Sequence, residues 1–376
     1  MMRMRSGRSG LLLLAAALAV AGALSVGLLQ HGQLASKPDP QAVPRDPAQH
    51  VRPHAVRFGI ADPELIKETA RAQAGQLARM RSIGINSVRF DANWKYVQYG
   101  GPQSFDWTML DREVRSARAA GMTIDLVIDG CPSWAALPGT SGDNFPQPAS
   151  AVQFAGWAGD VARRYAPEGV NDFEIWNEPN DTKFWQPRAN PAFYTRMLAD
   201  SYRAIKRADS KGYIIAASLA PVTSHGGSLS GTDFLSAMYA HGAKPYFNAI
   251  ATHPYTFPTL PGTYEPWSAW SQMNQTSPSL RSIMRLHGDW RKPIWITEFG
   301  APSNGPAGVG GSGEAAELSQ AITIAKSTRW IAAIFLYTWQ DRGTNTRTNA
   351  DWFGLLTSRA RAKAAYWATA KAIGKR

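Results

Sequence analysis

The stretch Asp172-Phe173-Glu174-Ile175-Trp176-Asn177-Glu178-Pro179-Asn180 runs from apolar residues directly into a segment that cannot continue a sheet. Phe173 and Ile175 indicate a short buried strand. Pro179 disfavours helical dihedrals at the residue before it, so we expect Glu178 to leave the strand end on extended backbone. A carboxyl group held rigidly at the mouth of a buried strand is well placed to act as a general acid.

A second stretch of the same build lies at Pro293-Ile294-Trp295-Ile296-Thr297-Glu298-Phe299-Gly300. It too is an apolar strand that ends in a glutamate. Two glutamates that each end a buried strand predict a site with paired carboxylates, which is the arrangement that acid–base and nucleophilic chemistry share. The rest of the chain is interpreted as the frame that brings Glu178 and Glu298 together.

Composition fits a globular protein large enough to bury a substantial core, with 376 residues, 44% hydrophobic and 18% charged. Cys131 is the single cysteine, which excludes an internal disulfide framework. The net charge is +12, yet no run of basic residues is interleaved with aromatic ones. Nucleic acid is therefore a poor candidate for a partner.

The N-terminal residues 1–30 predict an export segment, because a basic start precedes an uncharged apolar run over residues 11–29. The run is longer than the roughly 7–15 apolar residues of a cleaved signal and close to the ~20 that span a bilayer. A cleaved signal and an uncleaved membrane anchor both remain open. Residues 31–53 are predicted to form a linker, and 54–376 a single catalytic domain outside the cytoplasmic membrane.

From residue 54 onward, apolar strands alternate with amphipathic helices at the spacing of βα units. Continuously apolar strands are typical of parallel sheets covered on both faces. Eight such units predict a closed (β/α)8 TIM barrel of the α/β class, with an open doubly wound sheet as the alternative. The predicted strands are Val56–Ile60, Ser87–Asp91, Thr123–Ile128, Asp172–Trp176, Tyr213–Ser218, Ala249–His253, Pro293–Thr297 and Ala332–Tyr337.

Polar and aromatic residues gather where the predicted strands end, and the strand beginnings carry nothing comparable. The site of a (β/α)8 barrel lies at the carboxyl ends of its strands, so this asymmetry locates a functional site there. The segments concerned are Arg89–Trp94, Asp129–Trp134, Asn177-Glu178, His253-Pro254-Tyr255, Glu298 and Tyr337-Thr338-Trp339.

These motifs resemble the (β/α)8 clan A of retaining glycoside hydrolases. The motifs are most similar to those of family 39, in particular its bacterial exopolysaccharide-type endoglycosidases, and more distantly similar to those of the cellulase-like family 5. The resemblance rests on Trp176-Asn177-Glu178-Pro179-Asn180, Phe184–Ala189, Ala251–Thr256, Thr297-Glu298-Phe299-Gly300 and Gly354-Leu355-Leu356.

The resemblance implies a double displacement in which Glu298 is the nucleophile and Glu178 the acid/base. Retention requires the two carboxyl groups to lie about 5–5.5 Å apart. It also requires the pKa of Glu178 to be raised while Glu298 stays ionised. Arg89 is the cation expected to hold Glu298 charged.

Further substrate-binding residues follow from the same resemblance. Asn177 would bind the sugar 2-hydroxyl, Tyr255 would contact the nucleophile, and His253 would orient a hydroxyl or a carboxylate. Trp339 would form the platform under the reacting sugar, with a cis peptide bond after it. Trp94 and Trp134 are candidates for outer sugar subsites, with loop packing as the alternative.

No cofactor and no metal are expected. The seven histidines show no metal-binding pair, and the glycines at 308, 310 and 313 lie too far from their strand for a dinucleotide fingerprint. The leading hypothesis is an exported retaining glycosidase that cleaves a β-linked polysaccharide or oligosaccharide endo-wise. Its alternatives are a family 5-like β-glucanase or mannanase and a non-catalytic carbohydrate-binding barrel. Residues 11–29 would account for any membrane association.

Overall fold

The computed structural model describes residues 56–140 and 145–375. The segment predicted for export or anchoring and the predicted linker lie outside these residues. Within residues 56–140 and 145–375, no helix combines the length and apolar character needed to cross a membrane.

Eight parallel strands close into a barrel in chain order, with β8 paired to β1. This confirms the predicted (β/α)8 architecture, and the open doubly wound sheet is wrong because it would leave two edge strands unpaired. The strands are β1 (Arg57–Ala61), β2 (Ser87–Asn93), β3 (Thr123–Asp129), β4 (Asp172–Asn177), β5 (Tyr213–Leu219), β6 (Ala249–Thr252), β7 (Ile294–Phe299) and β8 (Ile331–Leu336).

Helices surround the barrel and cover the outward side chains of the strands. They are α1 (Ala70–Ser82), α2 (Trp94–Val97), α3 (Thr108–Ala119), α4 (Ala151–Tyr165), α5 (Pro191–Ala208), α6 (Gly231–Ala240), α7 (Ala269–Asn274), α8 (Leu280–Leu286), α9 (Gly310–Ser327) and α10 (Ala364–Ile373). Several begin with a side-chain cap; in α5, for example, the Asn190 side chain accepts from the backbone N–H of Phe193.

Successive side chains of a strand point to opposite faces of the sheet, and here this alternation separates apolar side chains from polar ones. In β2, Val88 and Phe90 belong to the large core between strands and helices. Arg89 lies between them and points into the barrel, where it meets side chains of β4 and β7. The outward residues therefore stabilise the fold, and the inward residues near the strand ends form the site.

Side chains fill the amino-terminal half of the barrel interior. Trp295 and Phe335 stack with their ring centroids 6.2 Å apart, and Arg57 lies 4.7 Å over the Trp295 ring. Gly59 is required here, because a Cβ atom at this position would lie 2.1 Å from the Phe335 ring. The barrel consequently opens only toward the carboxyl ends of the strands, where the polar residues lie.

Candidate active site

The end of β4 has unusual backbone geometry. Trp176 and Glu178 have φ values of 66° and 51°, so Glu178 is left-handed and the expected extended backbone is wrong. Non-glycine residues in this region are strained and persist only where the surroundings enforce them. The Glu178 N–H donates to the carbonyl of Ser218 on β5 at 3.1 Å, and the Asn180 side chain accepts from Ala220 N at 2.8 Å. The β5 end thus fixes the direction of the Glu178 carboxyl.

Glu178 is buried and lies against His253, which is fully buried at the end of β6. Nδ1 of His253 is 2.7 Å from Oε1 of Glu178, and Nε2 is 3.1 Å from the Thr297 hydroxyl. Burial raises the pKa of Glu178, and the hydrogen bond from His253 offsets only part of this effect. Glu178 therefore favours its protonated form more than a solvated glutamate does.

Glu298 on β7 has two donors. Nη1 of Arg89 reaches Oε1 at 2.8 Å, and the Tyr255 hydroxyl donates to Oε2 at 2.8 Å. Burial alone would raise the pKa of Glu298, but His253, Arg89 and Tyr255 together outweigh it and lower the pKa below its ordinary value. The two glutamates thus have pKa values pushed in opposite directions, as different roles require.

The two carboxyl groups face the same histidine atom. Nδ1 of His253 is 2.7 Å from Oε1 of Glu178 and 3.7 Å from Oε2 of Glu298. The separation of those two oxygens cannot exceed 6.4 Å, the sum of the two distances. This bound lies below the range of roughly 6.5–9.5 Å found in inverting glycosidases and is compatible with the ~5–5.5 Å of retaining ones.

Arg89 links the site to the barrel interior. Besides Glu298, its guanidinium donates through Nη2 to Glu174 Oε1 at 2.6 Å and to Asn177 Oδ1 at 2.8 Å. Glu174 is fully buried and also accepts from the Ser218 hydroxyl. Sequence reasoning missed Glu174 and Ser218 because an inward polar residue inside a strand carries no local signal of its partner.

The structure brings together Arg89, Asn177, Glu178, His253, Tyr255 and Glu298, but two predicted aromatic residues lie elsewhere. Trp339 is fully buried and packs on Tyr366 with ring centroids 6.0 Å apart, so it has no face to offer a sugar. Trp94 is also fully buried, against Trp134 at 5.4 Å. Both rings serve packing, and a direct sugar-binding role for either is wrong. Trp134 is half-buried beside Trp94.

Tyr337, rather than Trp339, lies beside Tyr255 and near the Glu298 carboxylate. The expected cis bond after Trp339 is also wrong, since the non-proline cis bond joins Tyr337 to Thr338. Tyr337 is half-buried, and its ring lies 6.4 Å from Tyr255 and 5.5 Å from Phe353. Phe257 completes this aromatic wall at 5.7 Å from Phe353. Tyr337 lies two residues before Trp339, on the segment that follows β8.

Two further carboxyl groups line the pocket on its β2–β3 side. Asp91 lies one inward position above Arg89, and burial raises its pKa to about 6. Asp129, at the end of β3, accepts from Nδ2 of Asn93 at 3.2 Å. In the described part of the chain, no group of three or more histidine, cysteine, aspartate or glutamate side chains has a geometry that could hold a metal ion.

Comparison with known structures shows the same fold in several glycosidases. A family 39 glycoside hydrolase from the gut symbiont Bacteroides cellulosilyticus WH2 has a TM-score of 0.65 at 21% identity, over 84% of this chain and 63% of its own. This chain therefore spans less than two thirds of that enzyme. A GH5_18 enzyme from Streptomyces cattleya, in complex with GlcNAc, has a TM-score of 0.64 at 19% identity, over 86% and 80%. A fungal β-1,4-galactanase gives 0.59 at 15% identity, over 84% and 99%.

Comparison of sequences gives the family. No curated protein matches the chain. A family model described as cellulase (glycosyl hydrolase family 5) matches residues 66–341, most of the barrel. The predicted membership of clan A is confirmed, and the likeness to family 39 is one of structure. The barrel, the paired glutamates at the ends of β4 and β7, and the family model agree: the chain belongs to glycosyl hydrolase family 5.

Proposed function

We propose that this protein is an exported retaining glycosidase that cleaves a β-linked polysaccharide endo-wise, with Glu298 as nucleophile and Glu178 as acid/base. The observation that carries the proposal is the asymmetry around His253. One imidazole lies between two carboxyl groups, and only Glu298 also receives the Arg89 guanidinium. The pKa of Glu298 is lowered and that of Glu178 raised, so an ionised nucleophile and a protonated acid coexist.

The first step is glycosylation. A carboxylate oxygen of Glu298 bonds to the anomeric carbon, the bond to the leaving oxygen breaks, and the Glu178 proton goes to that oxygen. Arg89 and Tyr255 hold the attacking carboxylate in place through two 2.8 Å hydrogen bonds. In the second step Glu178 removes a proton from water, the water oxygen bonds to the anomeric carbon, and Glu298 is released.

Asn177 is oriented for the sugar 2-hydroxyl. Its Oδ1 is occupied by the guanidinium of Arg89 at 2.8 Å. Its Nδ2 has no hydrogen-bond partner among the described residues and is available to donate to a hydroxyl group. Hydrogen bonds to the 2-hydroxyl that strengthen in the transition state, together with distortion of the sugar ring, contribute several kcal/mol in glycosidases. Tyr337 would supply the ring under the reacting sugar, since Trp339 is fully buried.

The proposed substrate is a β-linked polysaccharide of the exopolysaccharide class. The family model also supports the narrower alternative of a β-glucanase or mannanase. Release of reducing sugar across a panel of soluble β-glucans, mannans, galactans and exopolysaccharides separates these candidates. Endo-action predicts products of mixed length at early times, and release of a single sugar alone would contradict it.

A non-catalytic sugar-binding barrel is the alternative of another class. Wild type and Glu298→Gln are compared on activated aryl β-glycosides, with carbohydrate binding measured in parallel. Turnover by the wild type that the variant loses supports the enzyme. Equal inertness with intact sugar binding by both would overturn the proposed catalytic function.

Export is proposed from the apolar residues 11–29 and the basic residues before them. Fractionation of cells that express the full chain tests it. We expect the barrel on the outer side of the cytoplasmic membrane, accessible to added protease. Full recovery in the medium would contradict the anchor and leave a cleaved signal, whereas recovery in the cytoplasm would contradict export itself.

A further inference from the structure

Two tyrosines on the connection between β2 and α3 are the most exposed aromatic residues in the described part of the chain. Tyr96 is 72% exposed and Tyr99 is 79% exposed. Neither side chain makes a hydrogen bond, ring contact or cation–π contact with the described residues. Large aromatic side chains that a fold leaves bare in this way are typical of binding surfaces. We name Tyr96 and Tyr99 the tyrosine shelf.

The shelf stands on a rigid base. Trp94 is fully buried between Trp134 and Trp157, and its indole N–H donates to the Gln98 side chain at 2.5 Å. The Gln98 amide in turn donates to the carbonyl of Pro102 at 2.7 Å. Trp94 and Gln98 are buried and anchor this segment, so the neighbouring side chains of Tyr96 and Tyr99 face solvent. An ordered platform binds with less loss of entropy than a flexible one.

The shelf lies at the mouth of the barrel. α2 starts at Trp94, immediately after Asn93, whose side chain reaches Asp129 inside the barrel at 3.2 Å. Tyr96 follows Asn93 by three residues, so their Cα atoms are within roughly 11 Å of each other. Tyr96 lies in α2, and Tyr99 follows the end of this helix by two residues. Trp134 joins this wall, because its indole N–H donates to the Gln98 carbonyl at 2.9 Å.

We propose that Tyr96 and Tyr99 form a distal sugar subsite. It would bind pyranose units of the substrate chain that lie away from the glycosidic bond being cleaved. This inference rests on the proposed function, and it narrows the substrate to chains long enough to reach from Glu298 to the β2–α3 connection. Tyrosine suits the task, since its ring covers the apolar C–H face of a sugar while its hydroxyl stays hydrated. Two stiff side chains also supply contact area at low entropic cost.

The test compares wild type with the double variant Tyr96→Ala/Tyr99→Ala on oligosaccharides of two to six units of the sugar that the enzyme cleaves, and on its 4-nitrophenyl glycoside. The double variant should lose about tenfold in kcat/KM on the longest substrates, equivalent to ~1.4 kcal/mol, and nothing on the aryl glycoside. Tyr96→Phe/Tyr99→Phe should keep the activity on long chains. Loss that is equal at every length, or no loss at all, would overturn the subsite.

Trp290→Ala is the matched control, because Trp290 is 54% exposed and lies on the connection entering β7, at the opposite end of the barrel. It should leave every substrate unaffected. If the wild type hydrolyses nothing, the proposed function fails, and the shelf is then judged by affinity electrophoresis in gels cast with galactomannan, xylan, β-glucan or galactan. Retardation of the wild type that the double variant loses supports the shelf. Equal mobility, or self-association that depends on the tyrosines, overturns it.

Discussion

The guanidinium of Arg89 on β2 donates to Oε1 of Glu298 on β7 at 2.8 Å, across the interior of the barrel. This ion pair is buried, with 5% of the Arg89 side chain and 16% of the Glu298 side chain exposed. A charge pair in such surroundings keeps a carboxylate ionised that burial alone would protonate. The ion pair therefore supports the proposed assignment of Glu298, rather than Glu178, as the nucleophile.

Arg89→Lys tests this relationship. Lysine keeps one charge but cannot reproduce the fork that reaches Glu174, Asn177 and Glu298 together. The pKa of Glu298 should rise, and the acidic limb of the kcat/KM profile should move to higher pH with a loss of roughly 10²-fold. Arg57→Lys is the control, because Arg57 pairs with Asp172 at 2.5 Å at the closed end of the barrel. An unchanged acidic limb in Arg89→Lys would contradict the assignment.

Glu178→Ala should separate the two steps of the reaction. A substrate whose leaving group needs no proton, such as a dinitrophenyl glycoside, should still form the glycosyl-enzyme. A natural glycoside should lose about 10²–10⁴-fold, the usual contribution of a general acid. Added azide, which needs no general base, should restore turnover of the activated substrate. Equal losses on both substrates and no effect of azide would assign Glu178 a structural role.

His253→Gln should move both limbs of the pH profile in the same direction. His253 lowers the pKa of Glu178 through its hydrogen bond and that of Glu298 through its charge. Without the imidazole both pKa values rise, so the acidic limb, set by Glu298, and the alkaline limb, set by Glu178, shift to higher pH. A profile that keeps its position while kcat falls would contradict this positioning role.

Tyr337→Leu and Trp339→Leu form a matched pair on the segment after β8. Trp339 is fully buried, so its substitution should cost about 1–3 kcal/mol in the free energy of unfolding with little change in kcat/KM. Tyr337 is half-buried beside Tyr255, so its substitution should lower kcat/KM at least tenfold with a smaller change in stability. Loss of kcat/KM in Trp339→Leu but not in Tyr337→Leu would instead assign the sugar platform to Trp339.

Glu317→Gln should stabilise the protein at neutral and alkaline pH. Glu317 on α9 is buried; its Oε2 accepts from Thr256 at 3.2 Å, and its Oε1 has no partner among the described residues. Burial raises its pKa to about 7 in the folded state. Its contribution is therefore fully present below the unfolded pKa of about 4.5 and is lost as pH rises through about 7. Denaturant titration at pH 5 and 8 should show a gain of roughly 1–3 kcal/mol in the variant at pH 8 only.

The sequence predicted the barrel and both glutamates because residues adjacent in the chain are enough to indicate each strand and its end. The residues Asn177-Glu178-Pro179 after an apolar run indicate where that strand ends, and Glu298 before Gly300 does the same for the other strand. All eight predicted strands lie within two residues of the observed ones. Strand ends and their polar residues are therefore accessible to pattern reasoning.

What the sequence did not reveal depends on direction and on distant partners. Trp339 and Tyr337 are both aromatic residues after β8, and only the path of the chain there decides which ring is covered by Tyr366. Glu174 looks like any polar residue in a strand until Arg89 is placed opposite it. The left-handed φ of Glu178 goes together with its hydrogen bond to Ser218 on the neighbouring strand, a partner that no local sequence pattern reveals.

The stereochemistry of cleavage tests the central claim most directly. Proton NMR recorded during the first minutes of hydrolysis of a β-linked substrate resolves the anomeric signal of the first product before mutarotation. Double displacement by Glu298 and Glu178 predicts a β-anomer that later equilibrates with the α-form. Initial appearance of the α-anomer would mean inversion and would contradict the assignment of Glu298 as a nucleophile.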